Sequence, residues 1–157
     1  GYKCTYSIGT FIPLLFLILI FVQLILGAFV SGMDAGKIYN SWPLMGNTFF
    51  PNDNNLIDLF KLSAFSDPSL VQFMHRNLAY IITIFFIFIL FKIYKNRVFY
   101  LYRSVNILGL LITLQIILGI FTVIYGAQIY IAAMHQLSSI FLVSSSLYFL
   151  YKNTKIN

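Results

Sequence analysis

Residues 10–30 read TFIPLLFLILIFVQLILGAFV, an apolar run that contains no charged residue. A bilayer core about 30 Å thick is crossed by about 20 apolar residues in an α-helix, so this run is long enough to span a membrane. Three further runs qualify, at about residues 71–91, 104–125 and 129–151. Their apolarity is continuous, whereas the strands of a membrane barrel alternate apolar and polar residues. We therefore predict an all-α integral membrane protein, a bundle of four transmembrane helices.

The composition of the chain excludes several classes of protein. Of its 157 residues, 60% are hydrophobic and 9% are charged, whereas soluble domains average about 45–50% and about 25%. A globule of this size has too little interior to bury so much apolar surface, which excludes a water-soluble domain. The single cysteine, Cys4, excludes an internal disulfide and a multi-cysteine metal site. We assign the net charge of +6 to the inner membrane face, and we predict no nucleic-acid partner.

The distribution of lysine and arginine predicts the orientation in the membrane. The loop of residues 31–70 contains two lysines, and four aspartates dilute their charge. The positive-inside rule then places both termini inside and residues 31–70 outside, as an ordered cap on the membrane surface within one four-helix domain, residues 1–157. We expect the first span to be retained, and the lack of an initiator Met suggests a fragment or a processed chain. Seven basic residues fall on the opposite side, at Lys3, Lys92, Lys95, Arg97, Arg103, Lys152 and Lys155.

Two short segments of the chain resemble each other. Residues 23–29, QLILGAF, are echoed by residues 115–121, QIILGIF. Each segment lies in the outer half of an outward-running helix, and the helix that returns carries a histidine near its start. The pattern predicts two parallel two-helix repeats, related by a pseudo-twofold axis along the membrane normal.

The only two histidines, His75 and His135, fall near the starts of the second and fourth spans. We expect His75 about four residues into its helix and His135 about six, which corresponds to depths of about 6 Å and about 9 Å. Ionisable side chains inside a span are costly and indicate function. The alternative is that each histidine hydrogen-bonds a neighbouring helix. Two imidazoles are too few for a structural zinc, but they match the axial ligand pair of a haem iron.

Three further residues are candidates for contact with such a cofactor. Gly27 and Gly119 lie on the flanking helices at about the depth of the histidines, where a missing side chain would let a porphyrin edge approach the backbone. The alternative for both is close helix–helix packing. Arg76 would pair with a haem propionate, because its guanidinium matches carboxylate geometry, or would extend to the lipid headgroups.

Three motifs together resemble the C-terminal half of the haem A synthase family, in its α-proteobacterial and mitochondrial variety. They are LGAFVSGMDAGKIYNSWPLM at residues 26–45, VQFMHRNLAY at residues 71–80 and the Met134-His135-Gln136 triplet, and they span most of the chain in the family's order. The resemblance implies an eight-span protein built of two similar halves. It also implies that this half holds a low-spin haem b through His75 and His135.

The function implied by the resemblance is oxidation of the C8 methyl group of haem O to a formyl group, which gives haem A for cytochrome oxidase. The reacting haem belongs to the other half, so no catalytic residue is assigned here. Bis-histidine ligation leaves no open iron position, which suits electron transfer to or from that haem. The implied partners are the N-terminal half, haem O, haem O synthase and the bilayer of a bacterial cytoplasmic or mitochondrial inner membrane. The alternatives are a stand-alone b-type electron carrier with bis-histidine ligation and a haem-free membrane scaffold.

Overall fold

The computed structural model describes residues 8–154, so the predictions made for Lys3, Cys4 and Lys155 lie outside the described residues. Four helices account for most of it: α1 (Phe11–Gly32), α2 (Pro68–Lys95), α3 (Phe99–Ile124) and α4 (Ile129–Thr154). Each is long and apolar enough to cross a membrane, and at most 22% of its most apolar window is buried within the bundle. The remaining apolar surface faces outward, as it must in lipid. The prediction of an all-α bundle of four membrane helices is confirmed.

Two helices extend beyond the spans expected from hydropathy. Helix α2 begins at Pro68 because the Asp67 side chain accepts a hydrogen bond from the Leu70 backbone N–H at 2.9 Å, and proline is favoured in the first turn. It ends at Lys95, four residues later than expected. Helix α3 begins at Phe99 rather than near residue 104. Hydropathy detects only the lipid-buried length of a helix, whereas the hydrogen-bonded helix continues into the polar interface.

The helices form a closed antiparallel arrangement in which each contacts two neighbours. Helix α1 packs against α2 and α4, and α3 also packs against α2 and α4. Helices α2 and α4 therefore occupy one diagonal of the bundle and run in the same direction. The connections at residues 96–98 and 125–128 are short, which favours antiparallel neighbours.

The apolar core is concentrated in the half of the bundle that contains residue 8, residue 154 and the α2–α3 connection, here called the terminal half. Phe16 and Phe149 are fully buried there, and Phe16 contacts Phe85 and Phe86 with ring centroids 6.2 and 6.1 Å apart. The opposite half, here called the cap half, is packed less completely. Among the described residues of α4, none before Leu142 is fully buried.

Residues 33–67 form an ordered cap at the end of the cap half. Three short 3-10 helices lie within it, Ala35–Lys37, Leu56–Phe60 and Leu62–Ser66. Phe49 and Phe50 contact the ring of Phe73 on α2 edge-on, with centroids 5.9 and 4.9 Å apart. The cap also reaches the last turn of α3, because the Asn40 side chain donates to the Val123 carbonyl at 2.9 Å. The cap thus holds together the ends of three helices, α1, α2 and α3.

Candidate functional site

His75 and His135 lie in the cap half on the two diagonal helices α2 and α4. His75 is seven residues beyond Pro68, so the expected distance of about four residues was too short, because α2 begins earlier than hydropathy indicated. His135 is six residues beyond Ile129, as expected. At 1.5 Å per residue the two histidines lie about 10 Å and about 9 Å along their helices from the first residue. The two histidines therefore lie at similar distances from the starts of two helices that run in the same direction.

The first histidine is held by two residues of α1. The side-chain amide of Gln23 donates to the main-chain oxygen of His75 at 3.0 Å. A β-carbon built on Gly27 would lie 3.3 Å from Cε1 and 3.9 Å from Nδ1 of His75. Gln23 thus contacts the backbone of His75, and Gly27 contacts its ring. We call this pair the first seat.

The second histidine is held by the corresponding residues of α3. The Gln115 amide donates to the main-chain oxygen of His135 at 3.2 Å and also to the hydroxyl of Ser138. A β-carbon on Gly119 would lie 3.2 Å from Cε1 of His135. Gln115 and Gly119 form the second seat. Both seats make the same two contacts with their histidine, one to the carbonyl and one to the ring, whereas the equivalence of the complete two-helix repeats is still a prediction.

The spacing of four residues within each seat follows from helix geometry. Helical carbonyls point toward the C-terminus of the helix, and side chains lean toward its N-terminus. The ring of His75 therefore lies nearer the cap than its own carbonyl does. On the antiparallel neighbour α1, Gln23 and Gly27 are one turn apart, about 6 Å. The glutamine consequently meets the carbonyl while the glycine meets the ring.

Each of the two imidazoles has a buried ring nitrogen without a hydrogen-bond partner among the described residues. Nδ1 of His75 and Nδ1 of His135 are both buried, and neither has a hydrogen-bond partner within residues 8–154. Buried polar atoms are normally paired, so an unpaired imidazole nitrogen calls for an explanation such as an iron ligand with its outer hydrogen bond unmade. No group of three or more His, Cys, Asp or Glu side chains assembles in the described part of the chain. The donor set is a pair of imidazoles, which fits the axial positions of a haem.

Gly27 and Gly119 lie beside the histidines, but their neighbour is an imidazole ring and not the porphyrin edge that the sequence predicted. The flat group in contact with each glycine is the imidazole. Contact with a porphyrin edge, the role expected from the sequence, therefore stays a prediction for both residues.

Arg76 lies beneath the cap, where it is only 8% exposed. Its Nη1 donates to the Ser41 carbonyl at 2.9 Å, and its Nη2 donates to the Tyr39 carbonyl at 2.8 Å. Its Nε is buried and has no partner among the described residues. The side chain thus fastens the cap to the helix turn that carries His75. Pairing with a propionate stays a prediction. Nε is the guanidinium nitrogen that has no carbonyl as a hydrogen-bond partner among the described residues.

Other contacts fasten the same stretch of cap to α2. Gln72 donates to the Tyr39 carbonyl at 3.1 Å, and Ser69 donates to one oxygen of Asp53 at 2.6 Å. The Tyr39 hydroxyl donates to the other oxygen of Asp53 at 3.0 Å. Ser69, Gln72 and Arg76 are three and four residues apart and share one face of α2. In the sequence, this spacing of polar residues at the start of an otherwise apolar span indicates a helix face that contacts the cap. The prediction from hydropathy did not include it.

The hydrogen bonds around Asp53 alter the acidity of two groups of the cap. Burial raises the pKa of Asp53, but the bonds donated by Ser69 and Tyr39 prevail and leave it lowered. Burial, followed by the bond to the Asp53 carboxylate, raises the pKa of Tyr39. Both shifts favour the arrangement of a neutral phenol beside an ionised carboxylate. The cap is therefore held by hydrogen bonds that depend on the charge of Asp53.

Comparison with known proteins identifies a family. Residues 8–147 match the model of the COX15-CtaA family, described as cytochrome oxidase assembly protein. A heme A synthase of Pelagibacter ubique is 46% identical over 147 residues, which cover 91% of this chain and 43% of that protein. A heme A synthase of Roseobacter denitrificans is 39% identical over 74% of this chain and 30% of its own length. A heme A synthase of Rickettsia prowazekii is 37% identical over 86% of this chain and 41% of its own length.

The chain thus spans less than half the length of the curated relatives that it matches. No solved structure matches it significantly. The family match covers α1, α2 and α3 completely and most of α4, so it includes both histidines and both seats.

Proposed function

We propose a function for this chain from one premise: it belongs to the COX15-CtaA family of cytochrome oxidase assembly proteins. The chain is the haem b-binding part of a haem A synthase, corresponding to its C-terminal half. His75 and His135 would hold the haem iron through their imidazoles. The complete enzyme oxidises the C8 methyl group of haem O to a formyl group, and this half serves as its electron-transfer domain.

The matched surroundings of the two histidines are the observation that carries this proposal. Each imidazole has a buried, unpaired Nδ1 and lies against a glycine of the preceding helix. A histidine that only joined two helices would have its ring nitrogens paired with the neighbouring helix. Two such rings, at similar distances along two diagonal helices, match a cofactor bound between them.

Each part of the chain has a role in this assignment. A bis-histidine haem b supplies reversible one-electron chemistry at an iron without an open coordination position. The two histidines hold the iron, and the two seats fix the height of each ring. The cap, fastened by Arg76, covers the outer end of the bundle and limits the access of water. The tightly packed terminal half around Phe16 and Phe149 provides the rigid base on which the ligand helices stand.

The proposed partners follow from the same assignment. They are an N-terminal four-helix half that carries the reacting haem, haem O as the substrate, haem O synthase as its source, and the lipid bilayer. The membrane is a bacterial cytoplasmic or mitochondrial inner membrane, with both termini of this chain inside. The domain consists of the four spans together with the cap of residues 33–67.

The proposal is tested by the haem content and visible spectrum of the full-length protein in detergent. We expect a low-spin b-type spectrum that is lost, with the haem, in His75→Ala and in His135→Ala. The matched control is Asn77→Ala, because Asn77 is two residues from His75 and its side chain bonds only to the Phe73 carbonyl of its own helix. Unchanged haem content and spectrum in both histidine variants would overturn the assignment. A normal b-type spectrum without haem A production in cells would indicate the stand-alone electron carrier instead.

A further inference from the structure

The two seat glutamines, Gln23 and Gln115, have a feature that the packing of apolar helices does not require. Each places a primary amide inside a membrane bundle and donates from it to the main-chain oxygen of a histidine, at 3.0 and 3.2 Å. The oxygen atom of the Gln23 amide is buried and has no partner within residues 8–154. Burying an unpaired amide oxygen costs free energy that an apolar side chain would avoid. The donated hydrogen bond is therefore the feature of Gln23 that needs a functional explanation.

The acceptor in each bond is the backbone of the histidine itself. A helical carbonyl already accepts one bond from the N–H four residues later, so at His75 the glutamine uses the second lone pair of the carbonyl oxygen. The bond is thus an addition to the helix and is not needed to form it. In the first seat the bond fixes the position of His75 along the axis of α1. In the second seat it fixes the position of His135 along the axis of α3.

We propose that Gln23 and Gln115 are positioning residues of the haem site, which set the height and the mutual alignment of the two axial imidazoles. This inference rests on the proposed function, because it requires His75 and His135 to be the ligands. Two ligands on diagonal helices bind one iron only if their rings stay level. A glutamine at the carbonyl and a glycine at the ring constrain each histidine at two points about one turn apart.

The first and second seats differ in the number of hydrogen bonds that involve the histidine carbonyl. Gln115 also donates to the hydroxyl of Ser138, which in turn donates to the His135 carbonyl at 3.0 Å. The second seat therefore retains a polar contact to the His135 carbonyl when the Gln115 amide is removed. The first seat shows no such support among the described residues, where the side chain of Gln23 bonds to the His75 carbonyl alone. Substitution of Gln23 is accordingly expected to have the larger effect.

The test uses methionine, which has nearly the shape of glutamine but cannot donate. The variants are Gln23→Met, Gln115→Met and the double variant, in the full-length protein. Gln136→Met is the matched control, since Gln136 adjoins His135 and joins α4 to α1 through the Ser31 hydroxyl at 3.3 Å without touching a histidine carbonyl. The measurements are the rate of haem transfer to apomyoglobin, the low-spin electron paramagnetic resonance spectrum and the midpoint potential.

We expect the seat variants to fold and to bind haem, to release it about tenfold faster, and to show a shifted or broadened low-spin signal. Gln136→Met should match the unmodified protein in all three measurements. Suppose that the unmodified protein binds a haem that depends on His75 and His135. Equal release rates and spectra for Gln23→Met and Gln136→Met would then overturn this inference but not the proposed function. If the haem does not depend on those histidines, the proposed function fails first.

Discussion

Gly27 lies so close to the ring of His75 that a methyl group on its α-carbon would be 3.3 Å from Cε1, and Gly119 has the same relationship with His135 at 3.2 Å. These distances are shorter than ordinary contacts, so a new side chain there displaces the imidazole. In each seat, the size of the residue on one helix thus affects the position of a proposed ligand on the next helix. This coupling gives the most direct test of the site.

The first prediction concerns these glycines. Gly27→Ala and Gly119→Ala should each shift the ring by a few tenths of an ångström and lower haem affinity about tenfold. Gly27→Val should abolish binding, because a β-branched side chain is larger and stiffer. Haem titration of the full-length protein provides the measurement. Gly32→Ala on the same helix is the control, since nothing lies within 4 Å of its new methyl group.

The second prediction concerns Arg76 and the order of the cap. Arg76→Leu removes the bonds to the Ser41 and Tyr39 carbonyls and should destabilise the cap by about 2 kcal/mol. Hydrogen–deuterium exchange over residues 39–45 should accelerate, while the helices of the terminal half remain protected. Lys37→Ala is the control, because its pair with Asp34 at 2.7 Å is largely exposed and contributes little. Equal exchange in both variants would contradict the role assigned to Arg76.

The third prediction concerns the pH dependence of the cap. The pKa of Asp53 is lowered in the folded protein from its ordinary value of 3.8, so the ionised form is favoured by folding. Its contribution is complete above that ordinary value and is lost as the pH falls through the lower, folded pKa. The amide protection factors over residues 39–53, which are corrected for the intrinsic pH dependence of exchange, should therefore fall on acidification below about pH 3.8. Asp53→Asn should show faster exchange at pH 6 and a weaker dependence on pH.

The fourth prediction concerns orientation. With Cys4 replaced by serine, a cysteine at Ser63 in the cap should react with a membrane-impermeant maleimide from outside. A cysteine at Asn96 in the α2–α3 connection should react only after the membrane is permeabilised, because the basic residues near it favour the inner side. A permeant maleimide controls for reactivity at both positions. The reverse labelling pattern would refute the assigned sidedness.

The sequence alone determined the class of fold. Long charge-free runs allow few structures in lipid, because every backbone polar group must be paired within the segment, and only helices and closed barrels achieve this. It also indicated His75 and His135, since ionisable residues are rare within spans. The similarity of residues 23–29 and 115–121 pointed to related surroundings of the two histidines.

Only the tertiary structure decided what the neighbouring residues contact. A span pattern fixes which residues lie at one depth, but it does not fix the rotation of one helix against the next. That rotation brings Gly27 against an imidazole and Gln23 against the His75 carbonyl. The contacts of Arg76 could not be predicted from the sequence either, because its partners are backbone carbonyls of the cap. Every residue type has a backbone carbonyl, so no sequence pattern marks these partners. Side-chain patterns therefore predict the helices and the candidate ligands, whereas packing decides which residues hold them in place.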